Sequence, residues 1–164
     1  MLRKITVRRS PIHGNGVFAA RNLPAGKTLI EYRGALCTHD EADEIYAGTA
    51  ETGHTFLFTL NDEYIVDANR RGNAARWINH SCDPNCEAVI IEEGRNGHRR
   101  ERIYIETRRA IRKGEELTYD YGIKLDVRHT ERMRRLWACH CGMPGCIGTM
   151  LRPKKKRPAR SDGS

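Results

Sequence analysis

The sequence predicts a mainly β domain with few short helices, and three observations support this prediction. The apolar residues occur in short runs that Gly, Pro and Asn interrupt. The periodicity of most runs is that of strands, and helical spacing is clear in only a few places. A chain of 164 residues is long enough to bury one core and does not need disulfides to hold it. We therefore expect one compact domain of small sheets.

The predicted elements follow one another as short strands between turns. Apolar periodicity predicts strands at Ile5–Val7, Thr28–Tyr32, Phe56–Leu60, Tyr64–Val66, Ala88–Ile91, Ile103–Ile105 and Leu117–Tyr119. A helix is predicted at Asp40–Tyr46, because Thr38 is a suitable N-cap and acidic residues fill the first turn. A second helix is predicted near Thr130–Trp137.

The net charge of +8 is concentrated at the C-terminus. Residues 152–164 carry a net charge of +5, which leaves +3 for residues 1–151. Pro153 and Pro158 bracket the basic run, so we expect a disordered extension here. A solubilising tail is one interpretation, and a role in nuclear import or nucleic-acid contact is the other.

Three of the six cysteines are clustered near the C-terminus, at Cys139, Cys141 and Cys146. This clustering indicates metal binding in a reducing compartment rather than a disulfide framework. A closed structural zinc site takes four ligands, so one more must come from elsewhere in the chain. Cys82 and Cys86 are the better candidates. Three reduced surface thiols are the alternative, and such crowding is chemically unattractive.

The stretch Arg76–Cys86 combines several kinds of functional side chain. Asn79 and His80 are hydrogen-bonding groups, the two cysteines are thiols that can bind a metal, and the Pro84 ring stiffens the segment between them. The combination indicates a functional site. The alternative is a tight Asx turn with two buried cysteines.

Two other segments are ambiguous when taken alone. His13–Ala19 has two glycines separated by one residue, which lets the backbone pass close to a ligand or another strand, although a plain turn explains it better in isolation. Tyr119 and Tyr121 alternate in a strand and should share one face, with Asp120 on the other. Tyrosines in such an arrangement are usually packing residues.

Together these motifs resemble the SET-domain protein lysine methyltransferases, and the resemblance runs in order from about residue 4 to residue 151. The motifs are Gly-x-Gly-x-Phe (Gly14, Gly16, Phe18), Glu-Tyr-x-Gly (Glu31, Tyr32, Gly34), a lead-in from Asp67 to Arg76, Asn-His-Ser-Cys-x-Pro-Asn (Asn79 to Asn85), Gly-Glu-Glu-Leu-Thr-Tyr-Asp-Tyr (Gly114 to Tyr121) and a cysteine-rich post-SET motif (Cys139 to Cys146). Six motifs in this order are too many for coincidence.

The resemblance implies a β-clip-like fold of small curved sheets, in which Asn79–Asn85 threads under a loop to form a pseudoknot. It implies a SET domain at 4–122 and a zinc-bound post-SET segment at 123–151, which the disordered basic tail expected at 152–164 follows. It also implies two ligands, S-adenosylmethionine as co-substrate and a structural zinc ion. The implied cofactor-binding residues are Gly14, Asn15, Gly16, Phe18, Arg76, Trp77, Asn79 and His80, and the implied zinc ligands are Cys82, Cys139, Cys141 and Cys146. Cys86 then becomes a packing thiol.

The implied activity is S-adenosylmethionine-dependent N-methylation of a protein lysine. Tyr121 is expected at the centre of the lysine pocket, with Tyr32 and backbone carbonyls orienting the amine. Methyl transfer is an in-line displacement, so the protein must mainly align the reactants and exclude water, and no strong base is apparent. Tyr119 stands where the family has Tyr or Phe. Its hydroxyl narrows the pocket, so we predict mono- or dimethylation and disfavour trimethylation.

The expected substrate is a lysine in a basic protein such as a histone. An acidic edge between Gly34 and Asp67 would suit such a substrate, although an ordinary solvated helix face explains it equally well. The acidic residues are Asp40, Glu41, Asp43, Glu44, Glu51, Asp62 and Glu63. Relatives often have a cofactor-contacting Tyr in the strand where this chain has Phe56 and Phe58, so we do not expect that contact.

The competing hypothesis is a zinc-stabilised module that binds nucleic acid or protein without catalysis. It requires a strongly basic folded part and leaves Tyr121, Asn79 and His80 unexplained. An inactive SET fold used as a scaffold is a third hypothesis. The basic contacts of the module would be the tail together with Arg95, Arg99, Arg100 and Arg102.

We expect a monomer. No membrane contact is expected, because the sequence has no apolar run long enough to span a bilayer and no signal-peptide core behind Met1. The expected location is intracellular. It would be the nucleus or chromosome in a eukaryote or a host cell, and the cytoplasm in a bacterium that retains the protein.

Overall fold

The computed structural model describes residues 3–47, 56–123 and 128–153. Glu51 and the basic tail beyond Pro153 lie outside these ranges. The strands are β1 (Ile5–Arg9), β2 (Asn15–Ala19), β3 (Thr28–Glu31), β4 (Ala35–Thr38), β5 (Leu57–Thr59), β6 (Tyr64–Asp67), β7 (Asn79–His80), β8 (Cys86–Arg95), β9 (His98–Thr107) and β10 (Thr118–Tyr119). The helices are α1 (His39–Ile45) and α2 (Glu131–Leu136), with a 3-10 helix at Ala74–Trp77.

Within these residues the strands form four small sheets rather than one large sheet. Strand β1 pairs antiparallel with β2, and β6 lies between β4 and β5. Strand β9 lies between β3 and β8, while β7 pairs parallel with β10. The predicted class, mainly β with few short helices, is confirmed.

The longest ladder is the hairpin of β8 and β9, which stays in register from the Cys86–Thr107 pair to the Arg95–His98 pair. Asn96 and Gly97 close it with φ angles of 57° and 80°, the left-handed backbone that a two-residue hairpin turn requires. The base of β9 is buried, whereas the tip of the hairpin is exposed. The predicted strands at Ala88–Ile91 and Ile103–Ile105 are parts of this longer hairpin.

Strands β2, β4 and β7 were not expected from the apolar pattern. Strand β2 is buried at Val17, Phe18 and Ala19 in succession, because β1 pairs with one edge and residues 115–117 bond to the other. A strand buried in this way shows no alternation, so the plain turn expected for this segment is wrong from Asn15 onward. Strand β7 consists of two polar residues, and only its long-range partner makes it a strand.

A single core joins the sheets and brings the sequence motifs together. Its most buried members, none more than 1% exposed, include Val17, Ile78, Ile105, Ile111 and Leu117. These residues come from distant parts of the sequence. Packing among them holds the glycine segment, the Arg76–Cys86 stretch and the Gly114–Tyr121 segment against one another.

Helix α1 is fixed at both ends. Thr38 and Glu41 form a capping box at its N-terminus, as the expected Thr38 cap requires. At the other end the Tyr46 hydroxyl donates to Asp67 Oδ2 at 2.6 Å, and Arg70 Nε donates to the same oxygen at 2.8 Å. Asp67 is fully buried at the end of β6, so its carboxylate ties α1 to the β4-β6-β5 sheet.

The C-terminal part, residues 128–153, folds back onto the rest of the domain. Helix α2, predicted near Thr130–Trp137, begins after its N-cap Thr130, whose hydroxyl accepts from Met133 N. Leu151 is buried and forms a parallel bridge with Ile123, and Arg152 makes a 2.7 Å ion pair with Asp120. The segment thus ends beside Tyr121. In the described part of the chain, no helix is long and apolar enough to cross a membrane.

Candidate active site and metal site

Strand β7 and the end of the Arg76–Cys86 stretch are fixed to β10. The parallel ladder pairs Asn79 with Thr118 and His80 with Tyr119. Beyond the ladder, the Asn85 amide donates to Glu116 O at 2.8 Å and accepts from Thr118 N at 2.9 Å. A side-chain amide thus replaces a backbone peptide as the next rung. These two bonds give Asn85 a structural role within the motif.

Four aromatic rings form a cluster beside this pairing. The rings of Tyr119 and Tyr121 are 4.8 Å apart, and Phe58 lies 5.3 Å from Tyr32 and 6.2 Å from Tyr119. The Tyr121 hydroxyl donates to the carbonyl of Ile78 at 2.6 Å. Because that bond uses its proton, the hydroxyl presents acceptor lone pairs to anything else in the pocket.

The tyrosine hydroxyls of this cluster are held in their neutral form. Burial raises the pKa of Tyr32, Tyr119 and Tyr121 above the ordinary value, and the mutual proximity of the phenols adds to the effect on Tyr119 and Tyr121. Tyr32 also donates to Phe56 O at 3.2 Å. The cluster therefore offers oriented oxygens and an apolar wall, and it contains no group suited to act as a strong base.

His80 joins the tyrosine cluster to the cysteines. The backbone N–H of Tyr121 donates to Nδ1 at 3.0 Å, so the neutral ring carries its proton on Nε2, which lies 3.8 Å from Cys82 Sγ. Burial lowers the pKa of His80, although nearby Asp120 opposes the shift. The imidazole is thus committed to structural contacts. A cofactor contact from this residue would come from its backbone.

Asn79 lies where three segments meet. Its Nδ2 lies 3.1 Å from His13 O, 3.1 Å from Asn15 O and 2.9 Å from Glu116 Oε1. Gly14, between the two carbonyl-bearing residues, has φ of 46°, which turns both carbonyls toward the amide. The structure therefore brings the glycine segment and Asn79 together, as expected, and adds a carboxylate at the same place.

Arg76 and Trp77 form an aromatic and cationic surface next to Tyr32. The Arg76 guanidinium carbon lies 4.6 Å above the Trp77 ring, and Trp77 meets Phe56 edge-on at 5.2 Å. The Nε of Arg76 is buried, and among the described residues it has no hydrogen-bond partner. A buried donor needs an acceptor, and a ligand carboxylate would supply one. Together with the Asn79 site, this surface fits the polar and aromatic parts of S-adenosylmethionine.

Two of the expected cofactor residues have packing roles in the structure. The Phe18 ring is buried beneath the Arg8 guanidinium, whose carbon lies 3.9 Å from the ring centroid. At Gly16 an added Cβ would overlap the Glu116 carboxylate and crowd Ser10. The absence of a side chain at Gly16 thus lets Glu116 approach. The Phe18 side chain therefore does not enter the pocket, and Gly16 has no side chain that could.

The four cysteines proposed as zinc ligands converge. The Sγ atoms of Cys82, Cys139, Cys141 and Cys146 all lie within 4.8 Å of one another, and Cys82 Sγ is 3.7 Å from two of them. A tetrahedral zinc ion with Zn–S bonds of about 2.3 Å separates its sulfurs by about 3.8 Å, whereas a disulfide requires about 2.05 Å. The spacing therefore fits a metal and excludes disulfides. Cys86, the other candidate, is buried apart from this group.

One thiol of the cluster, that of Cys141, has a lowered pKa. Burial raises the pKa of Cys141, but backbone N–H donors from Cys82 and Met143 outweigh burial and lower it to about 6. Burial keeps the pKa of the neighbouring Cys139 thiol above its ordinary value. Thiolates are the form that binds zinc, so the lowered pKa of Cys141 suits a metal ligand.

The sequence did not single out Glu116, Ser10 or Asp120 as part of the site. Ser10 Oγ donates to Glu116 Oε1 at 2.6 Å, and Asp120 pairs with Arg152. Glu115 and Glu116 are adjacent acidic residues of one motif, and only their long-range partners distinguish them. Nothing in the local sequence could have shown which of the two faces the pocket.

The fold and the site define a SET-domain protein. The SET domain family matches residues 14–122, and the chain belongs to this family. The resemblance seen in the sequence is thereby confirmed, and the cysteine cluster lies where the post-SET motif was expected.

The similar curated proteins are named as histone-lysine N-methyltransferases. The chain is 39% identical over 146 residues to an H3 lysine-4 specific enzyme of Mycosarcoma maydis, which covers 88% of this chain and 9% of the relative. It is 39% identical over 145 residues to human Histone-lysine N-methyltransferase 2B, covering 87% of this chain and 5% of the relative. Over 159 residues it is 38% identical to MEDEA of Arabidopsis thaliana, covering 96% and 21%.

A solved structure shows the same fold. It is a humanized mutant of the Chaetomium thermophilum Polycomb Repressive Complex 2 bound to the inhibitor GSK126, with a TM-score of 0.62 and 31% identity. The match covers 74% of this chain and 15% of that chain. This chain thus spans a small part of the length of the curated and solved relatives that it matches.

Proposed function

We propose that the chain is an S-adenosylmethionine-dependent protein-lysine N-methyltransferase. The observation that carries the proposal is the junction of two sites: the Tyr121 cluster lies directly beside the pairing that positions Asn79. One site suits an amine nucleophile and the other suits the polar end of the cofactor. The names of the relatives, all histone-lysine methyltransferases, support the same activity.

The residues proposed to hold the cofactor are those around Asn79. The backbone of Gly14, Asn15 and Gly16, together with Asn79, would take its polar end, and Arg76 and Trp77 would cover it. Phe18 and the His80 imidazole would support this pocket from outside. S-adenosylmethionine, when bound, supplies the electrophilic methyl group.

The tyrosine cluster is proposed to position the substrate amine. Tyr121 Oη, fixed by its bond to Ile78 O, and Tyr32 Oη, fixed by its bond to Phe56 O, would accept hydrogen bonds from the nitrogen. A free lysine has a pKa of about 10.4, and burial among these rings favours its neutral form. The proton therefore leaves to solvent before transfer, and the chain needs to supply no base.

Tyr119 is proposed to limit the number of methyl groups. Its ring is buried between Tyr121 and Phe58. The ring therefore cannot move aside as methyl groups are added to the substrate amine. Each added methyl group must find room beside its hydroxyl. Mono- and dimethyl-lysine are the expected products.

The proposed substrate is a lysine in a histone or another basic protein, and the proposed place of action is chromatin. The acidic residues of α1 and of the β5–β6 turn would favour a basic peptide. The SET domain would comprise residues 4–122, the post-SET segment 123–151 and the basic tail 152–164, which would contact nucleic acid. We propose that this segment of chain acts as a monomer.

The cysteine cluster is proposed to bind one structural zinc ion. Four thiol ligands close the coordination sphere, so the metal would have no open position for catalysis. Its role would be to fasten the post-SET segment to Cys82, two residues from His80.

The test uses purified protein, labelled S-adenosylmethionine and recombinant histones, with modified lysines identified by mass spectrometry. Tyr121→Phe removes the fixed hydroxyl and should lower the turnover rate on the order of 10²-fold, as expected when a reactant loses its alignment. Tyr104→Phe is the matched control, because the Tyr104 hydroxyl donates to Glu93 on the hairpin surface, away from the tyrosine cluster.

The proposed activity predicts label on lysine in the wild type and in Tyr104→Phe, with strong loss in Tyr121→Phe. Equal labelling of all three proteins would show that the tyrosine cluster does not take part. If calorimetry detects no binding of S-adenosylmethionine, the chain is instead a zinc-stabilised binding module.

A further inference from the structure

Glu116 makes contacts that its neighbour Glu115 does not. Its Oε1 accepts from Ser10 Oγ at 2.6 Å and from Asn79 Nδ2 at 2.9 Å. Glu115 turns the other way, toward Arg109 at 3.0 Å and the backbone of Arg112. Two adjacent carboxylates of one motif therefore face different surroundings, and only Glu116 faces the proposed cofactor pocket.

The position of the Glu116 carboxylate is fixed from several directions. The Ser10 hydroxyl that bonds it is itself held by Ile12 N at 2.9 Å. The backbone of Glu116 forms a bridge with Phe18 and its carbonyl accepts from Asn85. Gly16 leaves the space that the carboxylate occupies. So many constraints on one acidic side chain indicate a role beyond solubility.

This carboxylate is one of three acceptors that set the orientation of the Asn79 amide. An ionised carboxylate only accepts hydrogen bonds, so it must face the NH₂ group of the amide and not its oxygen. The carbonyls of His13 and Asn15 impose the same orientation. The Oδ1 atom of Asn79 is thereby turned to the opposite side, where it can accept from a ligand.

The charge on Glu116 is not neutralised by a basic side chain. Among the described residues, no Lys, Arg or His forms an ion pair with it. Its negative charge also contributes to the raised pKa of Tyr121, so its field reaches the tyrosine cluster. A partly buried negative charge that no basic side chain of the described residues neutralises favours a cationic ligand group.

We propose that Glu116 is a positioning residue for the ammonium of the amino-acid part of S-adenosylmethionine. It fixes the Asn79 amide so that the amide oxygen faces that ammonium, and its charge favours the cation. The inference rests on the proposed function, since it requires this cofactor in the pocket. It adds a residue that acts on cofactor binding through Asn79.

The test compares two ligands that differ in the amino-acid part. S-adenosylhomocysteine carries the ammonium, and 5′-methylthioadenosine lacks the amino-acid group altogether. Both dissociation constants are measured by calorimetry for the wild type, Glu116→Gln and the matched control Glu115→Gln. Ser10→Ala provides a second variant, which removes one bond to the carboxylate and leaves the charge in place.

Glu116→Gln should weaken the binding of S-adenosylhomocysteine about tenfold, equivalent to about 1.4 kcal/mol. It should leave the binding of 5′-methylthioadenosine unchanged. Ser10→Ala should weaken the binding of S-adenosylhomocysteine by a smaller factor. Glu115→Gln should not change the dissociation constant of either ligand. Retained binding of 5′-methylthioadenosine shows that the variant pocket is folded.

Equal losses for both ligands would reduce Glu116 to a structural residue and overturn the inference. Unchanged binding of S-adenosylhomocysteine by Glu116→Gln would overturn it as well, while the proposed function would stand. If the wild type binds neither ligand, the proposed function fails, and this inference fails with it.

Discussion

The backbone N–H of Tyr121 donates a 3.0 Å hydrogen bond to Nδ1 of His80. The opposite nitrogen of the same ring lies 3.8 Å from Cys82 Sγ. A single imidazole thus stands between the thiol cluster and the tyrosine at the centre of the proposed lysine pocket. Ligands of structural metals are commonly fixed by such outer hydrogen bonds, and here the contact runs on to the reactive site.

Removal of the metal is therefore expected to weaken methyl transfer, although no cysteine lies in the lysine pocket. Without zinc, Cys82 is no longer held to the post-SET cysteines, and the His80 ring loses a fixed neighbour. Cys82→Ser or chelation should reduce turnover by 10-fold to 100-fold, the range seen when metal-site support is lost. Metal content and turnover are measured on the same samples.

Cys37→Ala is the control for this prediction, because Cys37 is a buried thiol outside the cluster. It should keep both zinc and activity. A metal-free protein with the turnover of the loaded protein would show that the two sites are independent.

The Tyr119→Phe change is predicted to extend methylation. It removes the hydroxyl but keeps the ring stacked 6.2 Å from Phe58, so the pocket gains room without collapsing. The wild type should stop at mono- and dimethyl-lysine, and Tyr119→Phe should add trimethyl-lysine. Mass spectra of one histone peptide at several time points distinguish the products, and identical product distributions would remove the steric explanation.

The elements that sequence analysis predicted are those whose causes are local. The predicted helix cap Thr38 depends on a hydrogen bond from a residue three positions later, and this bond is present. The strand ladder β8–β9 depends on a two-residue turn. The four thiols could be grouped from their spacing and the family resemblance, because a metal site restricts the choice of ligands to a few residue types.

The remaining features depend on contacts between distant segments, which a local pattern does not contain. Strand β7 exists only because Asn79 and His80 meet Thr118 and Tyr119. The side that Glu116 faces is decided by Ser10, more than a hundred residues earlier. The same reasoning applies to His80, which sequence analysis assigned to the cofactor and whose ring the structure directs to Tyr121 and Cys82.

Asp67 is predicted to make the folding stability depend on acid pH. Burial by itself raises its pKa, but hydrogen bonds from Tyr46, Arg70 and Asn69 prevail and lower the pKa below its ordinary value. A carboxylate whose pKa is lower in the folded state stabilises the fold above its unfolded pKa of about 3.9. This contribution is lost as the pH falls below about 4 and through the folded-state pKa.

Asp67→Asn should reduce the free energy of unfolding at pH 7 by about 2–3 kcal/mol, because charged hydrogen bonds are replaced by weaker ones. The difference from the wild type should shrink at pH 3. Guanidinium unfolding of both proteins at pH 7 and pH 3 measures this difference in the free energy of unfolding. Asp62→Asn, in the exposed β5–β6 turn, is the control and should leave both stabilities unchanged. A loss at pH 7 that persists undiminished at pH 3 would rule out the ionised carboxylate as its source.

The Asp120–Arg152 ion pair is predicted to matter most when the metal is absent. Besides the backbone bridge of Leu151 with Ile123, two side-chain attachments hold the post-SET segment next to Tyr121: the thiols on Cys82 and this 2.7 Å pair. An exposed pair contributes only about 0.2–1 kcal/mol alone, so Arg152→Gln should change turnover little in the zinc-loaded protein. While either attachment holds, the other acts at high effective concentration.

Loss of both attachments should therefore reduce turnover by more than the product of the separate losses. The measurement is a two-by-two comparison of wild type and Arg152→Gln, each loaded with zinc and chelated. Arg135→Gln, which breaks an exposed pair with Glu131 inside α2, serves as the control. It should change turnover by the same factor in the zinc-loaded and the chelated protein. Independent, multiplicative losses for Arg152→Gln would mean that the ion pair and the metal do not hold the same segment in place.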